Sequence, residues 1–294
     1  MFDGFETRTL ETARGRIHAR VGGSGPPLLL LHGYPETHLM WHSAAPLLAE
    51  RFSVVATDLS GYGESFRPVT AADHAPHSKR ALALDQVQAM RELGHDRFAV
   101  AGHDRGGRVA YRLALDHLGR LDRMATLDIV PTYDMWRGMD ANMAMKVWHW
   151  PFLAQPYPLP EMLISKAPVE YLEWKLASWA KAKNLSAFDP RALEHYRASF
   201  SDPLRIHAQC EDYRAGYGAD LANDETDRKA GKKITCPFLA LWGGDGIANE
   251  TSGPLAIWRQ WAPQAIGQPI DSGHFLTEEN PDATAKALLE FMMA

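Results

Sequence analysis

The stretch that decides the fold is Phe98-Ala99-Val100-Ala101-Gly102-His103-Asp104-Arg105-Gly106-Gly107. Its first four residues form a short apolar run typical of a buried parallel strand, and the amphipathic segment 107–117 predicts a helix. Between them two glycines flank Asp104, and a strand-to-helix turn this sharp tolerates only glycine at its flanks. Such a turn lifts the central side chain above the strand end, where the N–H groups of the helix point. The stretch therefore predicts a nucleophile elbow with an aspartate at its tip.

Short apolar runs at wide spacing predict the rest of a parallel sheet. The other predicted strands are Arg16–Val21, Leu28–Leu31, Phe52–Thr57, Met124–Ile129 and Phe238–Trp242. The first of them alternates polar and apolar residues, which is typical of an edge strand with one wet face. The segment Arg80–Leu93 predicts a crossover helix, and a last helix begins at Asn280-Pro281 and runs through Phe291. Alternating strands and helices indicate an α/β fold with a mostly parallel sheet.

The middle of the chain has a different character. From about residue 134 to about residue 223, helical segments are interrupted by prolines and β-branched alternation is scarce. Five of the nine tryptophans lie there, and we expect most of them to fill a small helical core. We therefore predict a first core segment (1–133), a helical cap inserted after a core strand (134–223) and a second core segment (224–294).

Composition and charge narrow the class of protein. The 294 residues are 46% hydrophobic and 23% charged, which is ordinary for a globular chain. The net charge of −5 disfavours nucleic acid as a partner, because the overall field repels phosphates. Two cysteines, Cys210 and Cys236, are too few for a disulfide scaffold. The acidic start does not resemble a signal peptide, and the run Leu28–Leu31 is too short to cross a bilayer. We expect a soluble cytoplasmic protein.

Three further polar motifs follow predicted strands. His32-Gly33-Tyr34-Pro35 is a loop of the kind whose backbone N–H groups help to form an oxyanion hole. The other two are Asp58-Leu59-Ser60-Gly61 and, near the C-terminus, Ser272-Gly273-His274-Phe275. The chain order of nucleophile, acid and histidine is that of the α/β-hydrolase fold, which is the fold we predict.

On these motifs the chain resembles the α/β-hydrolases with an aspartate nucleophile, and among them most closely the fluoroacetate dehalogenases. The resemblance covers nearly the whole length, core and lid. Its most specific marks are Gly102-His103-Asp104-Arg105-Gly106-Gly107-Arg108, Leu127-Asp128-Ile129-Val130-Pro131-Thr132, Trp148-His149-Trp150 and Asp212-Tyr213-Arg214-Ala215-Gly216. It implies hydrolysis of haloacetates, fluoroacetate to glycolate and fluoride, without a cofactor or a metal, by a homodimer.

The resemblance implies Asp104 as nucleophile, His274 as general base and Asp128 as the acid that orients the base. A carboxylate suits attack on an sp³ carbon, because it displaces the leaving group from behind and forms an alkyl ester. Water activated by His274 then attacks the carbonyl of that ester. The backbone N–H groups of Tyr34 and Arg105 are expected to hold the charge of the resulting tetrahedral intermediate.

The resemblance also implies which residues bind the two ends of the substrate. Arg105 and Arg108 are expected to hold the carboxylate, which a guanidinium matches in bidentate fashion. His149, Trp150 and Tyr213 are expected to donate hydrogen bonds to the departing fluoride. Fluoride is small and strongly hydrated, so fixed donors must replace its hydration as charge develops.

Asp245 competes with Asp128 for the role of the acid. Many members of this fold carry the acid after the strand that here ends in Trp242-Gly243-Gly244-Asp245-Gly246. The Trp-Gly-x-x-Asp pattern of related epoxide hydrolases would place it at Gly246, one residue beyond Asp245. A strand end fixes which side its next residue faces, so that offset is unfavourable, and we expect Asp128.

Two other functions are compatible with this fold. An epoxide hydrolase uses the same nucleophile, base and acid, but a neutral epoxide gives no reason for two cations, Arg105 and Arg108, beside the nucleophile. A non-catalytic ligand receptor needs the pocket without the full catalytic set. His32, His38 and His42 resemble a metal cluster only in number, since they lack helical ligand spacing.

Overall fold

A computed structural model describes residues 1–251 and 253–294, and at its centre is one eight-stranded sheet. The strands are β1 (Glu6–Glu11), β2 (Arg16–Gly22), β3 (Pro27–Leu31), β4 (Ser53–Thr57), β5 (Phe98–His103), β6 (Leu121–Leu127), β7 (Phe238–Gly243) and β8 (Ile266–Ile270). Their order across the sheet is β1-β2-β4-β3-β5-β6-β7-β8. β2 pairs antiparallel with β1 and β4, and the remaining pairs are parallel. The predicted mostly parallel sheet is confirmed.

Helices surround this sheet. They are α1 (Ala44–Ala49), α2 (Lys79–Glu92), α3 (Asp104–Asp116), α4 (Thr132–Arg137), α5 (Ala141–Lys146), α6 (His149–Leu153), α7 (Leu159–Ile164), α8 (Pro168–Trp179), α9 (Pro190–Phe200), α10 (Pro203–Ala215), α11 (Leu221–Lys229), α12 (Pro254–Arg259), α13 (Leu276–Glu279) and α14 (Pro281–Met293). α3 packs on β5, β6 and α2, and α1 packs on α14. In the described part of the chain, no helix is long and apolar enough to cross a membrane.

Burial at the centre of the sheet explains why the sequences of its strands are continuous apolar runs. All four leucines of β3 are fully buried, and they pair with β4 on one side and β5 on the other. A parallel strand covered on both faces exposes neither set of its side chains, so apolar residues occupy both. The same alignment brings the carboxyl ends of β3, β5 and β6 to one edge, where the polar motifs follow.

The N-terminal edge of the sheet differs from the prediction. Arg16–Val21 is not an edge strand, because β1 covers its outer side with pairings from Glu6–Val21 to Glu11–Arg16. Only Leu10 of β1 is buried, so this strand carries no hydrophobic pattern that a sequence analysis could detect. β8 at the opposite edge is likewise mostly exposed, with only Ile270 buried, and the sequence analysis predicts no range for it.

The cap comprises the helices between β6 and β7. The chain forms α4 to α11 there, and the predicted limits at 134 and 223 fall inside α4 and α11, so that division stays a prediction. The tryptophans of the cap fill its core only in part. Trp150 and Trp179 are buried, whereas Trp174 is 55% exposed. Amphipathic cap helices must leave one face to solvent, and Trp174 lies on such a face.

Candidate active site

The nucleophile elbow is built from glycines that let three backbone segments meet. Asp104 is the first residue of α3 and has a φ of 41°, a left-handed conformation that is costly for a residue with a side chain. A Cβ on Gly102 would lie 2.4 Å from the Gly106 carbonyl oxygen, and one on Gly106 would lie 2.5 Å from the His32 carbonyl oxygen. Only glycine fits at both positions, and the Asp104 side chain is therefore held above the end of β5.

The Asp104 carboxylate is buried and yet ionised. Burial alone would raise its pKa, but the nearby His274 and the guanidinium groups of Arg108 and Arg105 outweigh that effect and hold the pKa below its ordinary value. The Tyr34 N–H donates to Asp104 Oδ2 at 3.1 Å, so the loop after β3 points its backbone at this carboxylate. The structure thus brings Tyr34 to the expected oxyanion position. The role of the Arg105 N–H stays a prediction.

His274 and Asp128 face each other across the end of β7, since Asp128 follows β6 and His274 lies in the loop after β8. The His274 Nδ1 atom lies 2.5 Å from Asp128 Oδ2, and His274 Nε2 is buried with no hydrogen-bond partner among the described residues. Asp128 also accepts from the backbone N–H groups of Gly243 and Ile247, at 3.1 Å and 2.9 Å. A carboxylate fixed by these N–H donors holds the imidazole in one orientation.

Asp245, the other candidate for the acid, lies at the surface. Asp245 is 58% exposed in its side chain and pairs with Lys181 at 3.4 Å. A Cβ on Gly246, by contrast, would lie 2.4 Å from Asp128 Oδ1. A side chain at position 246 would therefore occupy the place that the Asp128 carboxylate fills, and glycine at 246 leaves room for it.

The two arginines beside the nucleophile are buried and only partly paired. Arg105 donates through Nε to Asp212 Oδ2 at 2.7 Å and through Nη2 to the Asp212 carbonyl at 2.8 Å. Arg108 donates through Nη1 to the Val130 carbonyl at 3.0 Å and to Thr132 Oγ1 at 3.2 Å. Arg105 Nη1 and Arg108 Nε have no partner among the described residues. Each guanidinium therefore keeps a buried donor for a ligand.

The cap contributes an aromatic cluster above the arginines. The guanidinium of Arg105 lies 4.2 Å from the Tyr213 ring centre, and that of Arg108 lies 4.4 Å from the Trp150 ring centre. His149 and Tyr213 contact each other edge to face, with ring centres 5.5 Å apart. Within the described chain, His149 Nδ1 and the Tyr213 hydroxyl are buried without a partner. The structure brings all three predicted halide donors to one place.

The protonation states of this cluster suit hydrogen-bond donation. Burial, followed by the charge of Lys175, holds the pKa of His149 well below its ordinary value, so the ring is neutral. Burial, together with the Asp104 charge, raises the pKa of Tyr213, so the phenol keeps its proton. A neutral imidazole carries one N–H, and a phenol carries one O–H.

Sequence reasoning missed several residues that support the site. Asp212 anchors Arg105 and also accepts from the Tyr62 hydroxyl at 2.8 Å and from Lys79. Its position beside Tyr213 in a motif already singled out was the available signal. Trp179 contacts both the His149 ring and the His274 ring, at 4.4 Å and 5.2 Å between centres. Its spacing along α8 is that of an ordinary core residue, and gave no such signal.

The comparisons with known proteins agree with this geometry. The model of the alpha/beta hydrolase fold family matches residues 26–281, and the chain belongs to that family. It is 44% identical to a fluoroacetate dehalogenase from Burkholderia sp, over 99% of this chain and 95% of that protein. It is 32% identical to a soluble epoxide hydrolase from Corynebacterium sp. (strain C12), over 94% and 93% of the two chains. A crystal structure of an alpha/beta hydrolase from Nostoc sp PCC 7120 has a TM-score of 0.96, with 50% identity and 99% coverage of both chains. The predicted fold and the predicted resemblance are confirmed.

Proposed function

We propose that this protein hydrolyses the carbon–halogen bond of haloacetates, converting fluoroacetate and water to glycolate, fluoride and a proton. The observation that carries the proposal is an ionised, buried Asp104 surrounded by polar atoms without partners in the described chain. These atoms are Arg105 Nη1, Arg108 Nε, His149 Nδ1, Tyr213 Oη and His274 Nε2. Unpaired buried polar atoms are costly, so a site that keeps five of them is built for a small polar ligand. The similarity to a fluoroacetate dehalogenase supports the same class of substrate.

The arginine side of the pocket defines the carboxylate end of the substrate. Arg105 is already paired with one anion, Asp212. The donors of Arg105 and Arg108 that have no partner in the described chain can both be satisfied by one further negative charge. Asp104 itself must stay free to attack. A substrate with its own carboxylate satisfies both donors, whereas a neutral haloalkane would leave them unpaired.

The aromatic side of the pocket defines the leaving group. The donors contributed by His149, Trp150 and Tyr213 come from the cap, whereas the nucleophile comes from the core. In the proposed in-line displacement they act on opposite sides of the substrate carbon, because the attacking and departing atoms lie on opposite sides of it. Donors aimed at the departing halide act in a buried site, where they are worth more than in water.

The reaction has two half-reactions. An Asp104 oxygen attacks the carbon bearing the halogen, the carbon–halogen bond breaks with its electron pair, and the halide leaves to the cap donors. His274 then takes a proton from water through Nε2, and the water oxygen attacks the ester carbonyl. The Tyr34 N–H faces the oxygen that becomes negative. As the intermediate collapses, the bond to the glycolate oxygen breaks and that oxygen takes the proton from His274. Asp104 is restored as a carboxylate that carries the water oxygen, and the second water proton is released.

A second candidate is hydrolysis of epoxides. The 32% identity to a soluble epoxide hydrolase and the unpaired Tyr213 hydroxyl favour it, since a phenol can protonate an epoxide oxygen. The two buried arginines count against it, because a neutral epoxide would leave Arg105 Nη1 and Arg108 Nε without an anionic partner beside the nucleophile.

The two candidates are separated by their products. We expect halide release from fluoroacetate and chloroacetate, measured with ion-selective electrodes, and no diol from styrene oxide. Asp104→Asn is the matched control, since it keeps the shape of the site without the nucleophile. Diol formation without halide release would replace this proposal with epoxide hydrolysis.

We further propose that the protein is a cytoplasmic homodimer. Both cysteines are free thiols, which suits a reducing compartment. Large apolar side chains of the cap are exposed in the single chain, among them Tyr157, Met162 and Leu204. Such side chains suit an interface with a second copy. Light scattering after size-exclusion chromatography tests the assembly, and a monomer mass would contradict it.

A further inference from the structure

A buried pair of titratable side chains adjoins the nucleophile elbow. Glu36 belongs to the loop after β3, and His103 is the last residue of β5, immediately before Asp104. The His103 Nδ1 atom lies 3.4 Å from Glu36 Oε2, and both side chains are fully shielded from solvent. Neither residue has a part in the reaction proposed above.

The backbone brings the two side chains of this pair together. A Cβ on Gly33 would lie 2.6 Å from His103 Nδ1, so the loop after β3 passes directly against the imidazole. The Glu36 N–H donates to the Gly33 carbonyl at 3.1 Å, which closes the turn that carries Glu36. Glycine at position 33 therefore leaves room for the pair.

The contacts of His103 determine where its hydrogens lie. Its Nε2 atom lies 2.8 Å from the His274 carbonyl oxygen, which can only accept, so Nε2 carries a hydrogen. Its Nδ1 atom faces the Glu36 carboxyl group instead. Neither Glu36 oxygen meets a hydrogen-bond donor elsewhere in the described chain. A proton between Nδ1 and Oε2 is therefore what offsets a buried negative charge at Glu36.

The surroundings keep one proton within the pair. Burial would lower the pKa of His103, but the hydrogen bond to Glu36 and the charge of Glu36 outweigh that effect and raise the pKa. The charges of Asp104 and Asp128 act in the same direction. Burial also raises the pKa of Glu36, so the proton is retained at both ends of the contact.

Three further titratable side chains lie around the pair. Burial, followed by the charge of Glu36, raises the pKa of Glu278 well above its ordinary value, so that carboxyl group is neutral. It accepts from the Tyr196 hydroxyl at 2.7 Å. Burial lowers the pKa of His32 to about 4, so that ring is neutral as well. Glu36 is the carboxyl group that reaches His103 Nδ1.

We propose that Glu36 is a positioning residue, which holds a second hydrogen on His103 and so places a buried imidazolium beside Asp104 and His274. The His103 ring lies 4.5 Å from the His274 ring between centres, and its backbone adjoins that of Asp104. A fixed positive charge there favours the states in which Asp104 carries a negative charge. Those states are the resting carboxylate and the tetrahedral intermediate, whereas the ester between them is neutral.

The imidazolium acts mainly on the second half-reaction. Formation of the tetrahedral intermediate converts a neutral ester into an oxyanion, so a nearby positive charge lowers that barrier. In the first half-reaction Asp104 gives up its charge, so the same cation does not accelerate the displacement. The proton stays within the pair and is not consumed. The protonation of His103 is a property of the resting protein, whereas its kinetic effect rests on the proposed function.

Nitrogen-15 NMR of the histidine-labelled, full-length protein tests the protonation at pH 8, where an unperturbed histidine is neutral. We expect Glu36→Gln to lose one imidazolium signal of the wild type, because an amide keeps the shape of the side chain without its charge. Glu278→Gln is the matched control, since it changes a neighbouring buried carboxyl group that is already neutral, and it should keep every imidazolium signal. A wild type without any imidazolium signal at pH 8, or with the same set as Glu36→Gln, would overturn the proposal.

The kinetic effect is measured on the two half-reactions. In Glu36→Gln we expect the halide burst to be kept and hydrolysis of the ester to slow about tenfold near pH 7, less than the loss of a direct oxyanion donor costs. Because the pKa of His103 is raised, the wild-type advantage is complete at low pH and is lost as the pH rises through that pKa. The difference between the wild type and Glu36→Gln should therefore shrink toward pH 10.

Two kinetic results would contradict this role of Glu36. They are a loss that is the same at every pH from 6 to 10, and an equal loss in Glu278→Gln, since both would indicate an effect on packing. Melting temperatures show that each variant has folded. Absence of halide release from the wild type would refute the proposed function instead, and the NMR comparison would still decide the protonation of His103.

Discussion

At the scale of single residues, the proposed reaction requires an aspartate that is ionised and a histidine that acts only after it. Asp104 carries the negative charge in the resting site, with His274 and two arginines holding its pKa low. His274 Nε2 is buried without a partner in the described chain, which suits the proposed proton transfer from water in the second half-reaction. The nucleophile therefore needs no base for the first half-reaction.

Replacing His274 with Asn should separate the two half-reactions. We expect one halide per site in a rapid burst, followed by accumulation of the Asp104 ester, because the base acts only in hydrolysis. Rapid-quench halide measurements and intact-protein mass spectrometry detect the burst and the added mass. A variant that releases no halide in the first turnover would show that His274 is needed for displacement as well.

Asp128→Asn and Asp245→Asn should differ strongly in their effect on kcat. Only Asp128 contacts His274, and an amide there would present an N–H where the imidazole needs an acceptor. We expect kcat to fall by about 10²–10⁴ for Asp128→Asn. The Asp245→Asn variant should stay near the wild type, since that side chain is exposed. Steady-state kinetics on one haloacetate decides between them, and the opposite ranking would assign the acid to position 245.

The cap donors should discriminate between halogens. Trp150→Phe or Tyr213→Phe removes a donor that fluoride needs more than chloride does, and each such bond contributes about 1.5–3 kcal/mol, roughly one to two decades in rate. Arg108→Lys is the matched comparison, because it weakens binding of the carboxylate common to both substrates. We expect a selective loss of kcat/KM for fluoroacetate in the first two variants and a parallel loss in the third. Equal losses for both halogens in all three would leave a general 2-haloacid hydrolase.

At the scale of secondary-structure elements, cap helix α8 contains a lysine that is buried against an aromatic ring. Lys175 is fully buried on it, with Nζ 3.8 Å from the Trp179 ring centre and no hydrogen-bond partner among the described residues. Burial lowers the pKa of Lys175 to about 6, despite the opposing effect of the Asp104 charge. Between pH 6 and 10.5 the unfolded chain therefore binds a proton that the folded chain does not, and stability rises with pH through this window.

Lys175→Met should raise the melting temperature by a few degrees at pH 6, because each kcal/mol shifts the midpoint by about 2 °C in a chain of this size. The gain should shrink toward pH 10, where the unfolded lysine also loses its proton. Lys166→Met, at an exposed position near the start of the same helix, is the control and should show no such trend. A gain that is constant from pH 6 to pH 10 would mean that Lys175 is charged when buried.

At the scale of the whole molecule, buried ion pairs tie the cap to the core. Asp212 on α10 pairs with Arg105 on α3 and with Lys79 on α2. Arg112 on α3 pairs with Asp224 and with another carboxylate of α11. Burial opposes ionisation of Asp212, but Arg105 and Lys79 outweigh it and hold its pKa well below the ordinary value. Its contribution to stability is therefore complete above about pH 4 and is lost as the pH falls below that.

Asp212→Asn should cost about 3–5 kcal/mol of unfolding free energy at pH 7, since it leaves two buried cations without their anion. The difference in unfolding free energy between the variant and the wild type should become smaller below pH 4. Denaturant melts at pH 7 and pH 3.5 measure both values, with Asp122→Asn as the control, because Asp122 pairs with Arg97 on the surface. A gap that is the same at both pH values would show that Asp212 acts through packing alone.

Local sequence patterns are sufficient to predict many of the strands and helices. The strands β3, β4 and β5 and the helices α2, α3 and α14 lie within a few residues of their predicted ranges. Each has a hydrophobic period or a cap that neighbouring residues alone produce. The edge strands β1 and β8 escaped prediction because most of their side chains face solvent and carry no such period.

The sequence by itself determined the elbow at Asp104, the sheet that presents it and the order of the catalytic motifs, because the flanking glycines, the apolar runs and the polar residues after them are patterns of residues close in the chain. Tertiary structure alone decided that Asp128 rather than Asp245 contacts His274. The space that the Asp128 carboxylate fills is left by Gly246, which follows a different strand, β7. Tertiary structure also decided that Asp212 anchors Arg105. These are contacts between the cap and the core or between separate strands, and no local periodicity encodes which polar side chains a folded chain brings face to face.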